Sequence, residues 1–315
     1  MRTEERKKQI HSVKAVSDTE AKAVSAEAVR DTEVFLCVDV GGTKTAVGCF
    51  TREGKELFSC AFPTEPERGC ADLAARAHSR VRGLGVSFVS ACIASPGPLD
   101  AAAGKILHIA TMGWRDVPIC EIFGAEFGLS FRLLNDCTAG ALGEWTFGQK
   151  KSISDMVYIS VSTGVGGGLI VNNALCFGRG NSGEIGHLRV RGEGLSCACG
   201  QTDCLELYAS GTGIETGFRR RTGRSLSCSE IAKLARGGDS DAKAVFSRCA
   251  EALAEGIGHI VKIVDPERIV FGGGVTAAAD LFLPEVKRLC PSVEIVLSRL
   301  DGKQVLFGCL AYQIL

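Results

Sequence analysis

From residue 34 onward the apolar positions fall in short blocks separated by clusters of glycine. Val34–Val40 is an apolar block of strand length broken only by Asp39, and Ala46–Phe50 follows it across Gly41-Gly42-Thr43-Lys44-Thr45. Leu57–Phe62 predicts a third strand, and Ala71–Val81 has apolar residues at helical spacing. Val86–Ile93 reads as a buried strand ending at Ala94-Ser95-Pro96-Gly97-Pro98. A helix over Val117–Phe127, a strand over Phe131–Leu134 and a helix from Asp136 through Leu142 come next. The pattern then starts again. Met156–Ser162 is a strand, Thr163–Gly168 a glycine-rich turn, and Leu169–Val171 another strand. A strand-turn-strand opening therefore occurs twice, which points to two related halves. Residues 178–206 are rich in Gly and Cys with little periodicity, and helical spacing dominates from Leu207 to Val264. Arg268–Phe271 and Val293–Leu297 predict strands. Leu281–Leu289 and Gln304–Ile314 predict helices.

Alternating strands and helices define an α/β fold. The 315 residues suffice for two cores. The reading is an extension at 1–33, a smaller α/β lobe at 34–147, a larger one at 148–303 and a C-terminal helix at 304–315 that returns to the smaller lobe. The polar stretch Phe147–Ser154 marks the boundary. Residues 1–33 hold seven basic and seven acidic side chains and too few large apolar ones for a three-helix DNA-binding module.

Charge changes the picture by exclusion. Thirty-six basic residues balance thirty-six acidic ones, which disfavours broad binding to nucleic acid or to an anionic membrane. No segment has the pattern of a signal peptide or a spanning helix. Twelve of the fifteen Cys are scattered, several inside apolar blocks as at Cys37, Cys92 and Cys249. They read as small hydrophobes in a reducing, cytoplasmic setting rather than as a disulfide framework.

Three glycine sets end apolar strands, where ligands of α/β folds collect. In the first, Gly41 and Gly42 let the backbone present N–H groups to an anion, Thr43 adds a hydroxyl and Lys44 a charge. Asp39 suits a phosphate-bound Mg²⁺ reached through water; an Asp before a glycine hairpin is also an ordinary turn. The second set, Thr163-Gly164 onward, exposes further amides. The third, Gly272-Gly273-Gly274, leaves room for a flat base or ribose. Asn135-Asp136 closes a short strand just before a helix. A carboxylate fixed there can take a proton from a hydroxyl during phosphoryl transfer, and Asn135 can hold a neighbouring hydroxyl. The same pair would serve equally as a helix cap.

His187, Cys197, Cys199 and Cys204, with gaps of nine, one and four residues, offer one imidazole and three thiols. Four such ligands favour a closed, structural tetrahedral Zn²⁺. An ion there would pin the turn that carries Glu184 and the chain that leads to Glu206, and both carboxylates could accept hydroxyl hydrogen bonds.

The segments DVGGTKT (39–45), SPGPLD (95–100), LNDCTAGALGE (134–144), STGVGGG (162–168), GEIGH (183–187), CACGQTDCLE (197–206) and FGGGV (271–275) together resemble the ROK family of sugar kinases, over residues 33–312. The resemblance implies a two-lobed actin-like ATPase (ribonuclease H-like) fold with a zinc-stabilised loop at 184–206, in an enzyme that uses ATP and Mg²⁺ and assembles as a homodimer or homotetramer. Asp136 would be the general base. Asn135, Glu184, His187, Glu206, Gly97 and Thr111 would face the sugar. Asp39, Gly41, Gly42, Thr43, Lys44, Thr163, Gly164 and Gly273 would face the nucleotide. His187, Cys197, Cys199 and Cys204 would hold the zinc.

Two positions depart from the family pattern. Thr111 stands where an Asn normally contacts sugar hydroxyls, and Asp203 stands where Gly is usual. The segment GWRDVPI is most similar to bacterial glucokinases, so the expected reaction is glucose and ATP to glucose 6-phosphate and ADP. N-acetylmannosamine, N-acetylglucosamine, mannose and fructose are the alternative acceptors. A sugar-responsive repressor and a non-catalytic sugar-binding protein are the readings from other classes.

Overall fold

The computed structural model describes residues 32–178 and 182–315, so the extension read at 1–33 lies almost wholly outside the described residues. The first five-stranded sheet takes β1 (Val34–Val40), β2 (Lys44–Thr51), β3 (Glu56–Pro63), β4 (Phe88–Ser95) and, further along the chain, Phe131–Asn135. Between these strands lie α1 (Cys70–Val81), a three-stranded sheet of β5 (Leu99–Asp100), β6 (Lys105–Ile109) and β7 (Trp114–Val117), and α2 (Ile119–Phe127). Phe131–Asn135 is β8, and it leads directly into α3 (Asp136–Gly143). The second five-stranded sheet takes β9 (Met156–Val161), β10 (Val165–Val171) and β11 (Ala174–Leu175). After α4 (Glu206–Ala209), α5 (Gly211–Thr222), α6 (Cys228–Arg236) and α7 (Ser240–Val264) it takes β12 (Arg268–Gly272). Past α8 (Leu283–Leu289) it adds β13 (Glu294–Leu297), and α9 (Gln304–Ile314) follows.

The strand orders are β3-β2-β1-β4-β8 and β11-β10-β9-β12-β13. In each sheet the first three strands pair antiparallel and the last two add parallel. The repetition seen in the hydrophobic pattern is thus a repeated topology. The three-stranded sheet was not legible in that pattern. Its strands are as short as two residues, too few for an alternation to register.

One expectation is corrected. Gly166, Gly167 and Gly168 are not part of the turn; they lie within β10, paired with β9 from Val165↔Val161 to Ile170↔Met156. Their missing side chains admit neighbours rather than bend the chain. A Cβ at Gly168 would run into Ala141 and the Cys137 carbonyl, and one at Gly166 into Cys137 Sγ. Glycine here lets α3 lie close on the strand.

Helices α3 and α9 fill the space between the sheets. Phe35, Cys37, Phe50, Cys92, Ala94 and Leu134 of the first sheet are buried with Ala139 of α3 and Leu306, Cys309 and Leu310 of α9. On the other side Ala141 and Leu142 pack with Met156, Tyr158, Ile170 and Val270 of the second sheet. The two helices touch backbone to backbone: a Cβ at Gly143 would meet Gln304 and Gly308, and one at Gly308 would meet Ala139. Among the described residues no helix is long and apolar enough to cross a membrane.

Candidate functional site

The loop between β1 and β2 is a tight hairpin in which Gly41 N donates to Lys44 O at 3.1 Å. Its base is fixed by two fully buried threonines. Thr45 and Thr64 hydroxyls lie 2.9 Å apart, and Thr64 Oγ1 donates to Gly41 O at 2.6 Å. Gly42, Thr43 and Lys44 are left exposed. Thr111 reaches the same loop: its Oγ1 lies 3.8 Å from where a Gly42 Cβ would stand. Thr64 was invisible to sequence reasoning, because nothing local to Pro63-Thr64 marks a partner 19 residues away.

At the end of β8, Asn135 Oδ1 accepts from Cys137 N at 3.0 Å and Thr138 N at 3.1 Å, so Asn135 is the cap of α3. That consumes the acceptor end of its amide. Its Nδ2 lies 3.8 Å from the position of a Gly97 Cβ, so the donor end is the part offered toward Gly97. Asp136 Oδ1 accepts from Cys137 N at 2.8 Å. Burial raises the pKa of Asp136, and hydrogen bonds from Cys137 pull it partly back. Asp39 is pushed up to about 7, first by burial and then by the charge of Asp136, with Lys44 acting the other way. Glu184 is raised by burial, with Asp136 and Glu206 adding repulsion and His187 opposing it. Asp39, Asp136, Glu184 and Glu206 therefore share one electrostatic neighbourhood.

In the second loop Ser162 N donates to Gly164 O at 2.8 Å. Glu206 Oε2 stands 3.5 Å from Val165 N and 3.0 Å from a would-be Gly164 Cβ, so this carboxylate closes against the loop. The N-terminus of α5 abuts the same turn. Gly211 N donates to Ser162 O at 2.7 Å and Thr212 Oγ1 to Thr163 O at 2.9 Å. Behind the loop opens a cavity of about 600 Å³, walled by Ser162, Thr163, Thr212, Glu215, Arg236 and Gly274 among others. That volume suits a small organic ligand. Gly273 itself turns away. It has φ +89°, and a Cβ there would strike the Val161 carbonyl, so it holds the wall in shape while Gly274 borders the space. Gly273→Ala is expected to lower stability by about 3 kcal/mol; an unchanged midpoint in urea unfolding would refute this account. Glu215 and Arg236 went unrecognised in the sequence because polar residues on helices read as solvated faces.

The loop at 184–206 brings His187, Cys197, Cys199 and Cys204 together, with their ligand atoms all within 4.8 Å of one another. Cys199 and Cys204 sulfurs lie 3.5 Å apart, and Cys197 Sγ lies 3.7 Å from His187 Nδ1. A tetrahedral zinc with Zn–S near 2.3 Å spaces its ligands about 3.8 Å apart, so the donor set fits that ion. Nδ1 faces the thiols, which leaves Nε2 toward Glu184, 4.0 Å from its Oε2. Asp203 takes the left-handed φ of +58° that favours Gly at this point. Its carboxylate repays the strain: it accepts from Leu195 N at 2.9 Å, Gly194 N at 3.2 Å and Tyr208 OH at 2.5 Å. The Tyr208 hydroxyl and these N–H groups hold its pKa below the usual range.

This geometry, a duplicated sheet topology with glycine loops at its strand ends, meets its counterpart in known proteins. The sequence profile of the ROK family matches residues 35–304, and the chain belongs to that family. A glucokinase of Halalkalibacterium halodurans is 31% identical over 277 residues, covering 81% of this chain and 84% of the relative. An N-acetylmannosamine kinase of Yersinia pestis is 33% identical, covering 77% and 83%. The crystal structure of a ROK family glucokinase from Streptomyces griseus in complex with glucose and AMPPNP superposes with a TM-score of 0.79 at 28% identity, covering 89% of this chain and 98% of that one. Its mixed α/β architecture is that of the actin-like ATPases.

Proposed function

We propose that this protein transfers the γ-phosphate of ATP to a hydroxyl of a small sugar, glucose first, with Asp136 as general base. The observation that carries the reading is that Glu206 closes against the Thr163-Gly164 loop, which also walls a cavity of about 600 Å³, while Asp136 lies near enough to raise the proton affinity of both Asp39 and Glu184.

The division of labour follows from the donors and acceptors. Asn135 Nδ2 donates to a sugar hydroxyl, Gly97 gives the ring room, and Glu184, Glu206 and His187 Nε2 bind further hydroxyls. Asp136 faces the reacting hydroxyl and takes its proton as the bond to phosphorus forms. Gly41, Gly42, Thr43 and Lys44 hold the phosphates from one side. Thr163 and Gly164, backed by the positive end of α5, hold them from the other. Asp39 would hold a phosphate-bound Mg²⁺, which would supply charge neutralisation. The adenosine occupies the cavity whose wall Gly273 shapes. His187, Cys197, Cys199 and Cys204 would hold a zinc ion, which would keep the sugar-facing side chains in place. The active assembly is a homodimer or homotetramer in the cytoplasm.

A second reading keeps the chemistry and changes the acceptor, and Thr111 motivates it. Its hydroxyl offers one polar atom where an amide offers two. A coupled assay with ATP over glucose, mannose, fructose, N-acetylglucosamine and N-acetylmannosamine is expected to give its highest kcat/KM with glucose. Failure of glucose alone would move the assignment to the second reading. Absence of turnover with every sugar would end both.

A further inference from the structure

The chain passes between the two sheets twice, through residues 144–155 after α3 and through 298–303 before α9. One buried carboxylate sits where the passages meet. Glu144 has no exposed surface, and its Oε1 accepts the hydroxyl of Ser298. Ser298 is itself fixed. Its Oγ accepts from Gln304 Nε2 at 2.7 Å and Leu300 N at 3.2 Å, and its N–H donates to Phe271 O at 2.7 Å. The other passage folds back on Glu144 as well: Gln149 N donates to Glu144 O at 2.6 Å, and Gln149 Oε1 accepts from Arg268 Nη1 at 2.6 Å.

The spot is an unfavourable place for a carboxylate. Burial raises its proton affinity. Glu144 Oε2, Gln149 Nε2 and Thr146 Oγ1 are all buried without a hydrogen-bond partner. Folded proteins rarely leave such groups unpaired, and an apolar residue would avoid the penalty. What the carboxylate achieves is a tie between sheets. Helix α3 is eight residues long and begins with Asp136 at the end of β8, in the first sheet. Glu144 follows its last residue and is bonded to Ser298, which stands just past β13 of the second sheet.

We infer that Glu144 is a positioning residue, which by bonding the far end of α3 to Ser298 fixes Asp136 relative to the Thr163-Gly164 loop of the second sheet. The inference rests on the base role proposed for Asp136. Misplacement of a reacting group by about 1 Å can lower a rate about 100-fold.

Four variants of the full chain test it, two single, their double and a conservative one. Glu144→Ala is expected to lower kcat about 30-fold with sugar and ATP KM changed less than about threefold, since the substrate contacts are intact. Ser298→Ala should do the same, and the double variant should be no worse than either single one, because both remove one tie. Glu144→Gln keeps an acceptor for Ser298 and should recover most of the rate. A wild-type kcat in folded Glu144→Ala or Ser298→Ala overturns the inference, as does an additive double variant. If Glu144→Ala does not fold, Ser298→Ala decides. Asp136→Asn measured alongside separates the two readings: full turnover there removes the base assignment itself, whereas its loss together with an unimpaired Ser298→Ala removes only the role of Glu144.

Discussion

Asp136→Asn is expected to lower kcat about 1000-fold while the sugar dissociation constant changes less than about threefold. The amide keeps the shape and can still accept the Cys137 N–H, which now reaches Oδ1 at 2.8 Å. What it loses is basicity, which is needed only as the hydroxyl gives up its proton. Steady-state kinetics paired with calorimetric sugar binding checks both halves. Turnover within tenfold of the parent would dismiss the base, and lost binding would make Asp136 a sugar ligand instead. The pH profile adds a sign. Burial holds Asp136 above the ordinary carboxylate range. A base works only when ionised, so kcat/KM should fall as pH drops through that raised value. The acid limb should therefore lie above the 3.8 of a free aspartate. The residual rate of the Asn variant should lack it.

Stripping the proposed zinc, or changing Cys204 to Ala, is expected to act on stability and on sugar binding together. Cys204 is fully buried beneath the loop, and its neighbours on the chain lead to Glu206. Few apolar side chains hold residues 188–204, so the ion should account for much of their order. The expected outcome is a fall in melting temperature of about 8 °C and a rise in sugar KM of about tenfold or more. ATP affinity should change far less, because the cavity is walled by α5, α6 and Gly274–Ala278 rather than by the loop. Elemental analysis should find one zinc per chain in the parent and none in the variant. Parent protein without zinc, or a variant with unchanged melting and KM, would dismiss the metal reading.

Legibility in the sequence followed the locality of the signal. The repeated strand-turn-strand opening was readable because each strand is a dense apolar block bounded by glycine. Asn135-Asp136 was readable because a strand end and a helix start meet there. Asn135 was read both as a hydroxyl holder and as part of a cap; its acceptor end caps α3, and which end of the amide stays free is a matter of rotamer that no spacing reveals. Gly166–Gly168 looked like a turn because glycine usually marks one; here it admits α3, and only the tertiary contact tells the two apart. Gly273 was read as facing the nucleotide, whereas a side chain there would strike the backbone of Val161, a contact that no local sequence marks. Glu144 closed the segment LNDCTAGALGE, but nothing in that segment marked it as buried. A Glu at the end of a helix reads as a solvated residue, and only the return of the chain at Ser298 buries it.

The position of α9 bears on how the protein is made. Its side chains complete the inner face of the first sheet, yet every strand of the second sheet precedes it in the chain. At roughly 5–20 residues per second, on the order of ten to thirty-five seconds separate the emergence of β8 from that of α9 at the ribosome. Through that interval Phe35, Phe50 and Leu134 lack the cover that α9 gives them, so the nascent amino-terminal part is a natural client for chaperones, and its maturation waits on sequence translated last among the described elements.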